Sequence, residues 1–297
     1  MSGPATAPDE PSLPGCRHRL VTTNGIRLHV AEMGEGPPIL LLHGFPEFWW
    51  SWRKVMPELA RDHRVIAPDL RGFNLSDKPG GPAARDYDLD VLAADIAGLM
   101  DALGLQGALP ILAHDWGGIL AYCLAMTQPQ RVARLIQLNA PHPHAWARGL
   151  LHHPAQRAKG WYVFLTLAAD DISERLYREQ FRDGTIRLSR AASPAEVAVY
   201  RAAFERPGAA RATVNYYRGF MARLAALAEE TPATIHCPVR VLWGLRDEAL
   251  EPVLNDLAHP WVEKLTITAF PDNYHWLAQE RPEAVVAAVR EELAVQP

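Results

Sequence analysis

Four nearly unbroken apolar runs, Ile39 to Leu42, Val65 to Ala67, Leu109 to Ala113 and Leu135 to Leu138, constrain this chain more than any other feature. A strand with one face in water alternates apolar and polar residues. One that stays apolar throughout is covered on both faces, as in a parallel sheet sandwiched by helices. Between the runs lie helical stretches, and in Val91 to Leu103 the residues Val91, Ile96, Leu99, Met100 and Leu103 approximate a one-sided apolar stripe. Strand and helix therefore alternate, which predicts an α/β fold with helices on both faces of a mostly parallel sheet. The opening differs. Leu20 to Thr23, the turn pair Asn24-Gly25 and Ile26 to Ala31 read as an antiparallel hairpin.

After the sixth of these strands the pattern changes. From Pro141 to Thr231 the chain reads as helices only, with aromatics and proline breaks, before strands return at Val239 to Trp243 and Leu265 to Phe270 and a helix closes around Pro282 to Leu293. A helical insertion there adds a second wall above the strand ends, where ligands of such sheets bind. The expected division is a loose, disordered tail over 1–17, rich in Pro, Ser, Gly and Ala, a core of 18–140 with 232–297, and a helical cap, or lid, over 141–231.

Charge and composition narrow the function. With 30 Lys and Arg against 34 Asp and Glu, the net charge of -4 lacks the basic excess that attracts nucleic acid. No apolar run reaches the roughly 18 to 20 residues that span a bilayer, and no basic start followed by an apolar stretch opens the chain. A cytoplasmic protein with a small-molecule substrate, monomer or homodimer, is expected. Cys16, Cys123 and Cys237 form no framework, and the pairs His142/His144 and His152/His153 lack further ligands at helical spacing, so neither metal nor cofactor is expected.

The chemistry centres on Leu112-Ala113-His114-Asp115-Trp116-Gly117-Gly118. Small residues two before and two after Asp115, between a buried strand and a helix, have the spacing of a nucleophile elbow, a strained turn that lifts its central side chain above the sheet. The same Asp could simply cap the helix. The other elements favour the elbow. His43-Gly44-Phe45-Pro46 follows Ile39 to Leu42 and puts a Gly-containing loop beside it, with Phe45 and Trp116 N–H groups as oxyanion donors. Asp247 follows Val239 to Trp243, and His275 follows Leu265 to Phe270. Nucleophile, acid and base thus come in the order Asp115, Asp247, His275.

The motifs HGFPEFWWSWR at 43–53, DLRGFNLSDKP at 69–79, HDWGG at 114–118, NYYR at 215–218, WGLRDEAL at 243–250 and HWLAQERP at 275–282 carry a specific likeness. From Arg19 to Leu293 the chain resembles the α/β-hydrolase superfamily and, within it, the epoxide hydrolases. That resemblance implies two lid tyrosines holding the epoxide oxygen: Tyr217 of NYYR, with Tyr216 the alternative if the register slips by one, and Tyr162 of Trp161-Tyr162. The stretch Trp161 to Ala169 departs from the WYxxFQLPG pattern of many such enzymes. Trp49, Trp161 and Trp276 are the expected substrate-binding aromatics.

An aspartate is ionised at neutral pH without help, its reference pKa being about 3.9. It can attack saturated carbon, where serine in the elbow would favour acyl esters. The expected reaction converts a lipophilic or aryl epoxide to a vicinal diol through an Asp115 ester, hydrolysed by water that His275 activates. The alternative is a haloalkane or haloacetate dehalogenase using the same nucleophile. Haloalkane dehalogenases resemble the chain in having Trp after it, but usually carry Asn where Phe45 stands.

Overall fold

The computed structural model describes residues 10–80, 84–181 and 192–294. Eight strands form one sheet: β1 (Arg17–Thr23), β2 (Ile26–Met33), β3 (Pro38–Leu42), β4 (Arg64–Pro68), β5 (Leu109–His114), β6 (Val132–Leu138), β7 (Val239–Gly244) and β8 (Leu265–Phe270). Their spatial order is β1-β2-β4-β3-β5-β6-β7-β8. The first two pairings are antiparallel and the rest parallel. The apolar runs have the predicted environment, with Ile39 to Leu42, Val65 to Ala67 and Ile111 to Ala113 fully buried. Alternate side chains feed opposite faces. Leu40, Leu42, Ile66 and Ile111 join one core, while Ile39, Leu41, Val65 and Leu112 join the other.

Among the described residues the helices are α1 (Met56–Leu59), α2 (Leu89–Ala102), α3 (Asp115–Thr127), α4 (Pro143–His152), α5 (Pro154–Lys159), α6 (Trp161–Phe164), α7 (Asp170–Phe181), α8 (Pro194–Phe204), α9 (Ala209–Glu229), α10 (Val253–Ala258), α11 (Leu277–Glu280) and α12 (Pro282–Ala294). In α2 Ile96, Leu99 and Met100 of the predicted stripe are buried, joined by Leu92, while Val91 and the C-cap Leu103 are only partly buried. The described elements between β6 and β7 are helical, α4 through α9 with the short 3-10 turn Leu165–Leu167. Because the chain moves from β3 outward to β4 and then back across to β5, the strand order reverses between β3 and β5. The crevice outside their carboxyl ends is where ligands of such sheets bind.

The amino-terminal expectation is corrected. Residues 1–9 lie outside the described residues, but Glu10 is held against the fold, where a loose tail was expected to Arg17. Its carboxylate accepts from Trp49 Nε1 at 3.0 Å and Asn74 Nδ2 at 2.7 Å, and pairs with Arg206 at 3.0 Å. Partners arriving from three other segments of the chain stabilise what composition alone reads as disorder.

Candidate active site

Strands β3 and β5 pair in parallel, Leu42 opposite Ala113, so the loops leaving them open side by side. His114 is still extended, at φ -129° and ψ 139°, and Asp115 then turns to φ +48° as the first residue of α3. A left-handed backbone on a residue other than glycine costs on the order of 1–3 kcal/mol and persists only where its surroundings enforce it. Here glycines let the neighbouring backbone close in. A Cβ on Gly117 would lie 2.3 Å from the Leu42 carbonyl oxygen, and one on Gly44 2.4 Å from the Asp115 Cβ. The helix-cap role does not describe this residue, whose side chain makes no capping bond in α3 and lines a cavity.

The two carboxylate oxygens of Asp115 have different surroundings. Oδ1 accepts a hydrogen bond from Phe45 N–H at 2.7 Å. Oδ2 faces His275 Nε2 at 3.7 Å. Burial would raise the Asp115 pKa, but the pull of His275 and the Phe45 N–H outweigh it and hold the group below the ordinary carboxylate range. Trp116 N–H lies in the first turn of α3, where backbone donors have no intrahelical acceptor.

Behind the imidazole, His275 Nδ1 donates to Asp247 Oδ2 at 2.6 Å. Asp247 is in turn held by Ala249 and Leu250 N–H on Oδ1, at 2.7 and 3.0 Å, and by Asn139 Nδ2 on Oδ2 at 2.7 Å. Burial opposes its charge, yet His275 and these donors keep its pKa low. For His275, burial would lower the pKa, but the charges and contacts of Asp247 and Asp115 raise it to about 10. The two flanking carboxylates thus favour the protonated imidazole.

The cavity beside Asp115 has a volume of about 260 Å³, just under the roughly 300–1,000 Å³ of sites for drug-sized ligands. Phe45, Phe181, Tyr162, Tyr217, Trp161 and Trp276 supply its aromatic wall. Tyr162 from α6 and Tyr217 from α9 stand edge to face with ring centroids 5.6 Å apart. Burial and the Asp115 charge, with the neighbouring phenols, push both well above the usual phenol pKa. Each therefore keeps its proton and can donate it. Tyr216 is spent elsewhere: its hydroxyl donates to the Arg71 carbonyl at 2.8 Å, and it does not line the cavity.

Comparison with known proteins places this geometry. The family model for the alpha/beta hydrolase fold matches residues 37–282. The chain is 37% identical over 291 residues to the AB hydrolase superfamily protein YfhM of Bacillus subtilis (strain 168), covering 95% of this chain and 99% of that protein. It is 33% identical over 298 residues to Epoxide hydrolase 4 of Mus musculus, covering 96% of this chain and 81% of that one. The chain belongs to the epoxide hydrolase family of the α/β hydrolases. A crystal structure of a Bacillus megaterium epoxide hydrolase in complex with an inhibitor superposes with a TM-score of 0.83 at 26% identity, covering 93% of this chain and 100% of that one.

Within this member of the family one expected pocket residue is corrected. Trp49 is fully buried in the core on the other face of the sheet, its indole N–H on Glu10 and its ring edge-on to His18 at 4.8 Å. The 3-10 turn Trp49–Trp52 that follows the HGFP loop directs it away from the cavity, and no periodicity in so short an element announces that. Trp161, by contrast, is 46% exposed and lines the cavity, as does the buried Trp276.

Two supports have no role assigned from the sequence, although His114 opens the HDWGG motif. Asn139, at the end of β6 with φ +38°, donates to both Asp247 and the Gly244 carbonyl and accepts from Gly244 N–H at 2.8 Å. His114 bridges the Glu47 carboxylate, at 2.6 Å from Nδ1, and the His275 carbonyl, at 3.0 Å from Nε2. The second contact ties the residue before Asp115 to the loop that carries His275. An apolar-looking strand end followed by a polar residue was the available signal in both cases, and it is common to most strands of a parallel sheet.

Proposed function

We propose that this protein hydrolyses an epoxide to a vicinal diol through an ester on Asp115. The observation that supports this most is the arrangement of Asp115 itself: one oxygen on a backbone N–H, the other facing His275 in a cavity walled by two protonated phenols. In this reading Asp115 Oδ2 attacks an epoxide carbon and the C–O bond breaks. The departing oxygen takes a proton from Tyr217 or Tyr162, assistance typically worth about 10²- to 10⁴-fold. Asp115 is then a neutral ester.

That loss of charge removes one of the groups raising the His275 pKa. The imidazolium gives up its proton by way of solvent, replacing the one the tyrosine lost, and becomes the base. It accepts a proton from water attacking the Asp115 carbonyl carbon, while Phe45 N–H and, by its place in the first helical turn, Trp116 N–H stabilise the oxyanion. Collapse breaks the bond to Oδ2, which leaves as the second diol hydroxyl with the proton from His275. The new carboxyl then reprotonates His275. Residues 141–231 act as the cap, since they supply both tyrosines, Trp161 and Phe181.

The cavity volume and aromatic wall favour a lipophilic epoxide carrying a single ring or a short chain. Incubation with styrene oxide and, separately, with a bromoalkane tests the reading. Phenylethanediol from the first and no bromide from the second is the expected result. Bromide without diol would replace the reading with a dehalogenase, and neither product would leave it without a substrate class.

A further inference from the structure

We infer that Gln156 and Lys159, on α5 of the helical insertion, are positioning residues for the acid–base pair, so that hydrolysis of the ester depends on the docking of this helix while its formation does not. This rests on the Asp115 reading above. Asp247 sits in a tight turn that spans Asp247 to Glu251, outside any helix or strand, and α5 holds that turn from the other side. Gln156 is fully buried and makes a two-point contact with it: its Nε2 donates to the Ala249 carbonyl at 3.1 Å, and its Oε1 accepts from Glu251 N–H at 2.7 Å. Lys159 Nζ donates to the Asp247 carbonyl at 2.6 Å and the Leu250 carbonyl at 3.4 Å, and pairs with Glu251 at 2.9 Å. The three N–H bonds of the ammonium thus match three acceptors, all in the turn that carries the acid.

The inner face of that turn holds the Asp247 carboxylate through Ala249 and Leu250 N–H. Gln156 grips the carbonyl of Ala249 and the amide of Glu251, and Lys159 the carbonyl of Asp247 itself. Without them the turn keeps its own inner bonds and the Asn139 contact but loses its outer restraint. A buried amide that satisfies two backbone groups is costly to lose, because both partners are left without water. The effect falls on one chemical step. Gln156 is no part of the cavity wall, and Lys159, which is, turns its ammonium onto the turn, whereas His275 takes its orientation from Asp247 Oδ2.

The test uses Gln156→Met, Lys159→Met and the double variant in the full chain, with styrene oxide as probe. Alkylation is measured under single-turnover conditions and the ester by intact mass. In the double variant alkylation should stay within about twofold of the parent while ester hydrolysis slows about 10- to 100-fold, the scale of small misplacements of a reacting group. Ester then accumulates at steady state, and Lys159→Arg, which keeps the charge and the donors, should hydrolyse it near the parental rate. Should the double variant be insoluble, Gln156→Met alone, outside the cavity wall, carries the same comparison. Unchanged rates for both steps, or an equal fall in both, would overturn the inference, the second pointing to lost folding alone. His275→Gln serves as the reference: if it traps ester and the α5 variants do not, this inference fails, and if it too forms none, the underlying reading fails.

Discussion

His275→Gln should form the covalent adduct at close to the parental rate and then stall, with steady-state diol production falling about 10²- to 10⁴-fold. The reason lies in the division of labour around Asp115. Asp115 attacks as a carboxylate and needs no proton removed by a base, its charge being held against burial by His275 and the Phe45 N–H. A neutral glutamine withdraws the cation but leaves the hydrogen bond from Phe45 at 2.7 Å. The ester that forms has no group to deprotonate water, so intact mass should gain one substrate on a peptide containing Asp115. In the parent, alkylation should be nearly flat across neutral pH, whereas ester hydrolysis should rise with pH to a plateau. The base must be neutral, and with Asp115 esterified its pKa lies below the value of about 10 set by two flanking carboxylates. Rapid multiple turnover by His275→Gln would remove the residue from its role.

Tyr162→Phe with Tyr217→Phe should fail one step earlier. The ring-opened alkoxide is strongly basic, and with neither phenol to protonate it alkylation should slow by about 10²- to 10⁴-fold, either single variant losing part of that. Removing two hydroxyls leaves the ring contact at 5.6 Å and the cavity walls in place, so folding should hold. The signature is opposite to that of His275→Gln. No ester should accumulate, and added ester-forming time should not produce a burst. A single-turnover alkylation rate equal to the parent's would make both tyrosines packing residues, as Tyr216 is through its bond to the Arg71 carbonyl.

The sequence carried the parts of this fold that depend on pattern. Strands covered on both faces must be apolar throughout, so β3 to β6 stood out directly, and the helix Leu89–Ala102 was bracketed within a few residues because its buried side chains recur at helical spacing. The elbow is legible because a left-handed Asp115 needs small neighbours: Gly117 lies against the Leu42 carbonyl and Gly44 against the Asp115 side chain. What stayed hidden depends on contacts with backbone atoms of distant segments. Nothing about Gln156 or Lys159 in a short helix indicates that their acceptors lie near residue 250, and Asn139 looks like any polar strand end. Trp49 misled for a related reason. Three indoles within four residues give no period from which to tell which of them faces a cavity and which the core. Glu10 was read as tail because its partners, Trp49, Asn74 and Arg206, are scattered over the chain.

Bonding of Asp115 to substrate carbon is tested most directly by one turnover in ¹⁸O-labelled water. With enzyme in excess over styrene oxide, both diol oxygens should be unlabelled, one from the epoxide and one from Asp115 Oδ2, and the Asp115 peptide should gain a heavy oxygen. A first-turnover diol carrying the label, beside an unlabelled Asp115, would mean that water attacks the epoxide itself and would contradict the account.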